Sequence, residues 1–159
     1  MRRSALLGSL ALVAELVAQI EPANSQSADM SAIKAANVAY YSALSAGDIA
    51  AMEQVWAKDE QVSNIFSQSK EPSYGPNAIM AGYDGLFKRR QGATALVVMT
   101  TEPAVRQQGD VALVTGVESV EVKPPNGEVV KAFEVATNVF VRRDAQWLMI
   151  HHHTSRPPQ

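Results

Sequence analysis

The 159-residue chain contains no cysteine. That removes disulfides and thiolate chemistry from consideration. It also lacks a charge excess: the formal net charge is -2, which gives no electrostatic footprint for nucleic acid. No apolar run is long enough to span a membrane; residues 4–14 are small and apolar, but Glu15 breaks the run there. The HExxH zinc motif is missing, as are internal repeats, low-complexity tracts and any linker that would split residues 26–159.

What remains is an ordinary globular composition, 47% hydrophobic and 19% charged, in a chain suited to one domain. The start has its own character. Arg2 and Arg3 precede a small, apolar stretch, and Ala23 and Ser25 allow cleavage before Gln26. The basic–apolar–small order predicts an export signal over residues 1–25, with secretion or a periplasmic location for residues 26–159. An amphipathic N-terminal helix is the alternative. No membrane association is expected after signal removal.

Helices come first in the remainder. Ile33, Ala36, Tyr40 and Leu44 recur at helical spacing, and Gly47 ends that helix. Asp48 can cap a second helix, whose stripe is Ile49, Met52, Val55 and Trp56. A short strand is expected within residues 61–67. Pro76 suits the first turn of a third helix carrying Ile79, Tyr83, Leu86 and Phe87. From Thr94 the chain becomes β-prone, with strands expected over residues 95–101, 111–122, 129–142 and 147–155. Short turns between them imply an antiparallel meander, and so an α+β domain with helices on one sheet face.

The three histidines, His151, His152 and His153, are consecutive and fall on the last strand. Strand residues two apart share a face. Trp147, Met149, His151, His153 and Ser155 are therefore expected on one side, with Leu148, Ile150, His152 and Thr154 on the other. A zinc site needs three or four converging ligands, and two same-face imidazoles do not supply them. No metal and no cofactor are expected. Two half-buried imidazoles holding backbone carbonyls are the alternative to a catalytic role.

The closing segment VRRDAQWLMIHHHTS resembles the last hairpin of SnoaL-like domains and of the calcium/calmodulin-dependent protein kinase II association domain, which end in Trp and then His-x-His-x-Ser. Here these are Trp147, His151, His153 and Ser155. AGDIAAMEQVWAKDEQV, YGPNAIMAGY and GDVALVTG resemble further segments of that family, in the same order. The resemblance implies a nuclear transport factor 2-like fold: a cone-shaped, curved antiparallel sheet wrapped around N-terminal helices, with a pocket at the open end and dimers formed through the sheet. Ketosteroid isomerases share that superfamily. Their helix-1 tyrosine matches Tyr40, and two further aromatic pocket positions fall on Trp56 and Tyr83. Their base aspartate position is Asn64, and their second carboxyl position is Asn138. An amide cannot shuttle a proton at neutral pH, so the isomerase mechanism is not expected here. The kinase association domain carries an arginine where Asn138 stands, so affinity for a carboxylate is not carried over.

The resemblance places Asn138 in the concavity, together with His151 and His153. Glu134, Ala136 and Phe140 share the parity of Asn138; whether Glu134 reaches the cavity is left open. The expected site joins Tyr40, His151 and His153 as catalytic candidates to Trp56, Asn64, Tyr83 and Asn138 as ligand-binding ones. Packing roles remain the alternative for each. The cleaner apolar face of the same strand, Phe133, Val135, Thr137, Val139 and Val141, is expected to form a homodimer interface or to pack behind the sheet. The expected function is binding of a small, partly apolar molecule. The alternatives are an isomerase, cyclase or hydratase with a histidine base and Tyr40 and Asn138 as oxyanion donors, and a dimeric assembly module without chemistry.

Overall fold

The computed structural model describes residues 23–157 except residues 91 and 101, and side chains from residue 27 onward. The expected signal segment, residues 1–25, lies almost wholly outside the described residues. Helix α1 (Ala23–Ala46) is followed by α2 (Ile49–Val55), and α3 (Pro76–Arg89) comes after two short strands. Gly47 takes the left-handed conformation (φ 67°) that ends α1. Asp48 then caps α2, its carboxylate accepting the Ala51 N–H at 3.0 Å. The strands are β1 (Ser63–Ile65), β2 (Ser73–Tyr74), β3 (Thr94–Met99), β4 (Ala104–Gln108), β5 (Val111–Lys123), β6 (Val130–Arg143) and β7 (Gln146–Ser155).

The strands form one curved, unclosed seven-stranded sheet in the order β2-β1-β7-β6-β5-β3, with β4 also paired to β5. The expected α+β architecture is therefore the one observed. One pairing departs from an antiparallel meander: β1 lies parallel to β7, with Asn64 opposite His152. Helix α1 crosses the concave face and buries Ile33, Asn37, Tyr40, Tyr41 and Leu44 there. Ser45 Oγ accepts the Val97 N–H at 2.8 Å and donates to the Val97 carbonyl at 3.0 Å, tying the end of α1 to β3.

The core is aromatic. Tyr40, Trp56, Tyr83 and Phe140 are fully buried alongside Ile33, Met52, Ile79 and Met149. Each such side chain contributes roughly 1.5–3 kcal/mol by leaving water. On β6 the inward residues are Glu134, Ala136, Asn138 and Phe140, all buried, while Phe133 and Val135 stay 50% and 48% exposed on the convex side. Among the described residues, no helix is long and apolar enough to cross a membrane.

Candidate functional site

The alternation of β7 breaks once. Phe140 pairs with Met149 but Val139 pairs with His151, so Ile150 is an extra residue with no partner opposite. Such a bulge reverses which side later residues face. Trp147 and Met149 point inward before it; His152 and Thr154 point inward after it. This corrects the expectation for His151 and His153. Both lie on the convex side, half-buried, opposite Val139 and Thr137, and His151 Nδ1 meets the Ser63 hydroxyl at 2.8 Å. The inward imidazole is His152.

His152 is buried and wired. Its Nδ1 lies 2.6 Å from Asn138 Oδ1, and Asn138 Nδ2 donates to Asn37 Oδ1 at 2.7 Å. Asn37 Nδ2 reaches Met99 Sδ at 3.8 Å, which fixes the Asn37 oxygen as the acceptor facing Asn138. The Asn138 oxygen then requires a donor, so Nδ1 of His152 carries the proton and Nε2 carries the lone pair. That Nε2 has no hydrogen-bond partner among the described residues. Burial, reinforced by the neighbouring His151 and His153, pushes the imidazole pKa down to about 3, so it is neutral at any physiological pH.

Aromatic rings surround it. The Tyr40 ring centroid is 4.8 Å from that of His152, and Phe66 is 5.8 Å away on the other flank. The Tyr83 hydroxyl donates to the Tyr40 hydroxyl at 3.1 Å, which leaves the Tyr40 proton for another acceptor. Burial raises both phenols well above their ordinary pKa, so neither ionises. Asn64 Oδ1 is also buried without a hydrogen-bond partner among the described residues, while the Trp56 indole N–H is turned to the Tyr83 hydroxyl. Asn64 sits beside His152 across the β1–β7 ladder. Of the residues expected from sequence, Tyr40, Trp56, Asn64, Tyr83 and Asn138 thus converge in the interior; His151 and His153 do not.

Several polar residues of this interior were not expected. His152, Asn37 and Tyr41 belong to the wired network, with Asn138 Nδ2 3.4 Å from the Tyr41 hydroxyl. Glu134 does face inward, where Ser67 Oγ (2.5 Å) and Arg156 Nε (3.3 Å) donate to its Oε1. Its cross-strand partner Glu118 is only 3% exposed. Burial raises the Glu118 pKa to about 7, against a lowering hydrogen bond from Tyr41, with the Glu134 charge adding to the rise. A parity count along β5 would have placed Glu118 inside, because Val114, Gly116 and Glu118 share a face. No group of three or more His, Cys, Asp or Glu among the described residues is arranged to hold a metal ion.

The SnoaL-like domain family model matches residues 33–159. No curated protein matches the chain. Among solved structures, a proposed dehydratase of the NTF2-like family from Streptomyces avermitilis is 26% identical, with a TM-score of 0.73 over 84% of this chain and 99% of its own. A proposed calcium/calmodulin-dependent protein kinase type II association domain from Thiobacillus denitrificans is also 26% identical, with a TM-score of 0.65 over 79% of this chain and 94% of its own. An NTF2-like superfamily protein from Salmonella enterica serovar Typhimurium is 16% identical, with a TM-score of 0.74 over 84% of this chain and 94% of its own.

Proposed function

We propose that this chain, which belongs to the SnoaL-like domain family, binds a small, partly apolar molecule in the interior between α1, α3 and the sheet. The observation that carries this reading is the set of orphaned polar atoms on aromatic walls. His152 Nε2 and Asn64 Oδ1 are acceptors, both buried and unpaired among the described residues. Each unmet group costs roughly 1–3 kcal/mol. A ligand offering a hydroxyl to these acceptors would recover that cost. Gentle purification of the full chain followed by solvent extraction and mass spectrometry is expected to release an equimolar organic molecule, and His152→Phe to release much less. An interior holding only water in both proteins would overturn the reading.

A second reading, proton-transfer catalysis of the isomerase or dehydratase kind, is favoured by the fixed tautomer. His152 Nε2 is held as a lone-pair acceptor by Asn138; at a pKa near 3 it is a weak base, and it takes a proton only as the negative charge of an enolate forming beside it offsets the cost of charging the buried ring. In this reading His152 takes the place expected for His151 or His153, Tyr40 donates to the developing oxyanion, and Asn138 is a positioning residue. Turnover of enolisable ketones and β-hydroxy ketones should fall about 100-fold in His152→Gln. Equal turnover in the two proteins would remove His152 from the chemistry.

We also propose homodimers formed through the convex face, where Leu96, Val98, Phe133 and Val135 are exposed. Val135→Asp is expected to halve the solution mass; an unaltered oligomer would move the interface elsewhere. Export of residues 26–159 after removal of residues 1–25 remains part of the proposal, and it predicts that periplasmic or secreted material begins near Gln26.

A further inference from the structure

Helix α3 runs out into three consecutive cations, Lys88, Arg89 and Arg90. Lys88 is paired with Asp84 one turn earlier, at 2.6 Å. Neither arginine forms an ion pair among the described residues. Basic residues in a last turn offset the negative end of a helix, which suits Lys88 and Arg89. Arg90 is used differently. Its Nη1 donates to the Ser45 carbonyl in the last turn of α1 at 3.1 Å, and its planar group stacks 5.0 Å from the Phe87 ring centroid. One face and one N–H are thereby occupied. The remaining N–H groups of the fork are held in place without a partner among the described residues. Half-burial draws the Arg90 pKa below the ordinary arginine value, because the cation loses water.

Two cavities meet at this group. One, of about 580 Å3, lies between the end of α3 and the β5–β6 turn; the other, of about 410 Å3, lies between the ends of α1 and α3 and the start of β3. Arg90 and Ala93 line both. The larger has apolar walls from Leu86, Val122, Pro124 and Pro125, with Arg89, Arg90 and Asn126 among them. Pro125 closes over the chain beyond α3: its Cγ would stand 3.6 Å from a Cβ at Gly92. Among the described residues no Asp or Glu lines either cavity. The larger one also shares no residue with the interior around His152 or with the exposed apolar convex face. Its volume is in the range of small-molecule sites.

We propose that the cavity between α3 and the β5–β6 turn binds a small-molecule carboxylate with an apolar body. The free edge of the Arg90 fork takes the carboxylate, Arg89 adds charge at the rim, and Leu86, Val122 and Pro124 receive the body. A planar guanidinium matches a carboxylate through two parallel hydrogen bonds. Phe87 and Ser45 already order that guanidinium, so binding does not have to freeze a long side chain. The ligand supplies the counter-charge that the half-buried cation lacks. This chemistry is the reverse of the interior, where the unpaired atoms His152 Nε2 and Asn64 Oδ1 are acceptors and disfavour an anion.

The site is independent of the interior reading, and its test is separate. Three probes are titrated into the full-length protein by calorimetry near pH 7: 2-naphthoate; 2-naphthamide, its neutral counterpart; and acetate, which lacks the body. Naphthoate is expected to bind about tenfold tighter than the amide, and more than about tenfold tighter than acetate. Raising salt from about 20 mM to about 0.5 M narrows the first gap. Arg90→Lys keeps the charge but loses the fork, and brings naphthoate to within about threefold of the amide. Since Arg90 also ties α3 to α1, Asn126→Asp is the independent check. It adds a carboxylate at an exposed rim position, and is expected to weaken naphthoate about fivefold while leaving the amide unchanged. Equal affinity for naphthoate and naphthamide, or an Asn126→Asp protein that binds naphthoate as before, would overturn the proposal. So would loss of naphthoate binding in a folded His152→Phe protein, which would put the probe in the interior. Naphthoate binding kept in His152→Phe after the extracted interior ligand is lost would separate the two sites.

Discussion

Replacing Glu118 with Gln should stabilise the protein above neutral pH and change it little in acid. The direction comes from linkage. The folded carboxyl titrates near pH 7 instead of 4.5, chiefly because burial penalises its charge. Below pH 4.5 both folded and unfolded chains hold the proton, and the group contributes no pH dependence. Between about 4.5 and 7 the unfolded chain has released it and the folded chain has not, so stability falls as pH rises, and it levels off above the folded pKa. The full span corresponds to about 3 kcal/mol. Glutamine preserves the shape and the acceptor for Tyr41 but has nothing to ionise. Urea unfolding at several pH values should show the two proteins converging near pH 4.5 and separating by a few kcal/mol near pH 8.5. Parallel curves would mean that Glu118 is solvated in solution.

The opposite limb belongs to His152. Its folded pKa is pushed down from 6.5 to about 3, first by burial and then by the other two histidines. Its contribution is fully present above pH 6.5 and is lost as pH falls toward 3, because the unfolded imidazole takes up a proton that the folded one refuses. The amount is about 5 kcal/mol, enough to make this residue a principal cause of acid unfolding. His152→Gln, which can still donate to Asn138, should start from a lower stability at pH 7 and lose less of it on acidification. Direct observation is available as well: by NMR the His152 ring should show no protonation at pH 5 while the chain remains folded. A ring that titrates near 6.5 in the folded protein would contradict its burial.

The two limbs show which parts of this site could be read from the chain and which could not. Helix α2 announced itself through Gly47 and Asp48, and α3 through Pro76, because caps and first-turn prolines act locally. The inward parity of Asn138 and Glu134 held because β5 and β6 pair without interruption along this stretch. It came from the family resemblance, against a valine pattern that favoured the other face. The parity of the histidines failed on a single residue. Ile150 continues an apolar run and carries no mark of a bulge, and in a row of three histidines a one-step slip exchanges the imidazole inside without altering the composition. Strand β4 has no sequence signal because Arg106, Gln107 and Gln108 give it no apolar face; it exists by pairing with β5. The parallel contact between β1 and β7 joins segments nearly ninety residues apart, beyond any local signal. The inward position of Glu118 is countable along β5; its importance lies in the absence of a counter-charge, which only packing reveals.

The hydroxyl of Ser45 also has a consequence for how the molecule behaves in a crowd. Strand β3 terminates the sheet, and its free side would offer backbone groups to any stray extended peptide, flanked by the greasy Leu96 and Val98. By occupying both the amide and the carbonyl of Val97, one serine blunts that template. A chain carrying alanine there is expected to keep its shape and to aggregate faster at high concentration, read by light scattering, so a single hydroxyl at the end of α1 guards the sheet edge.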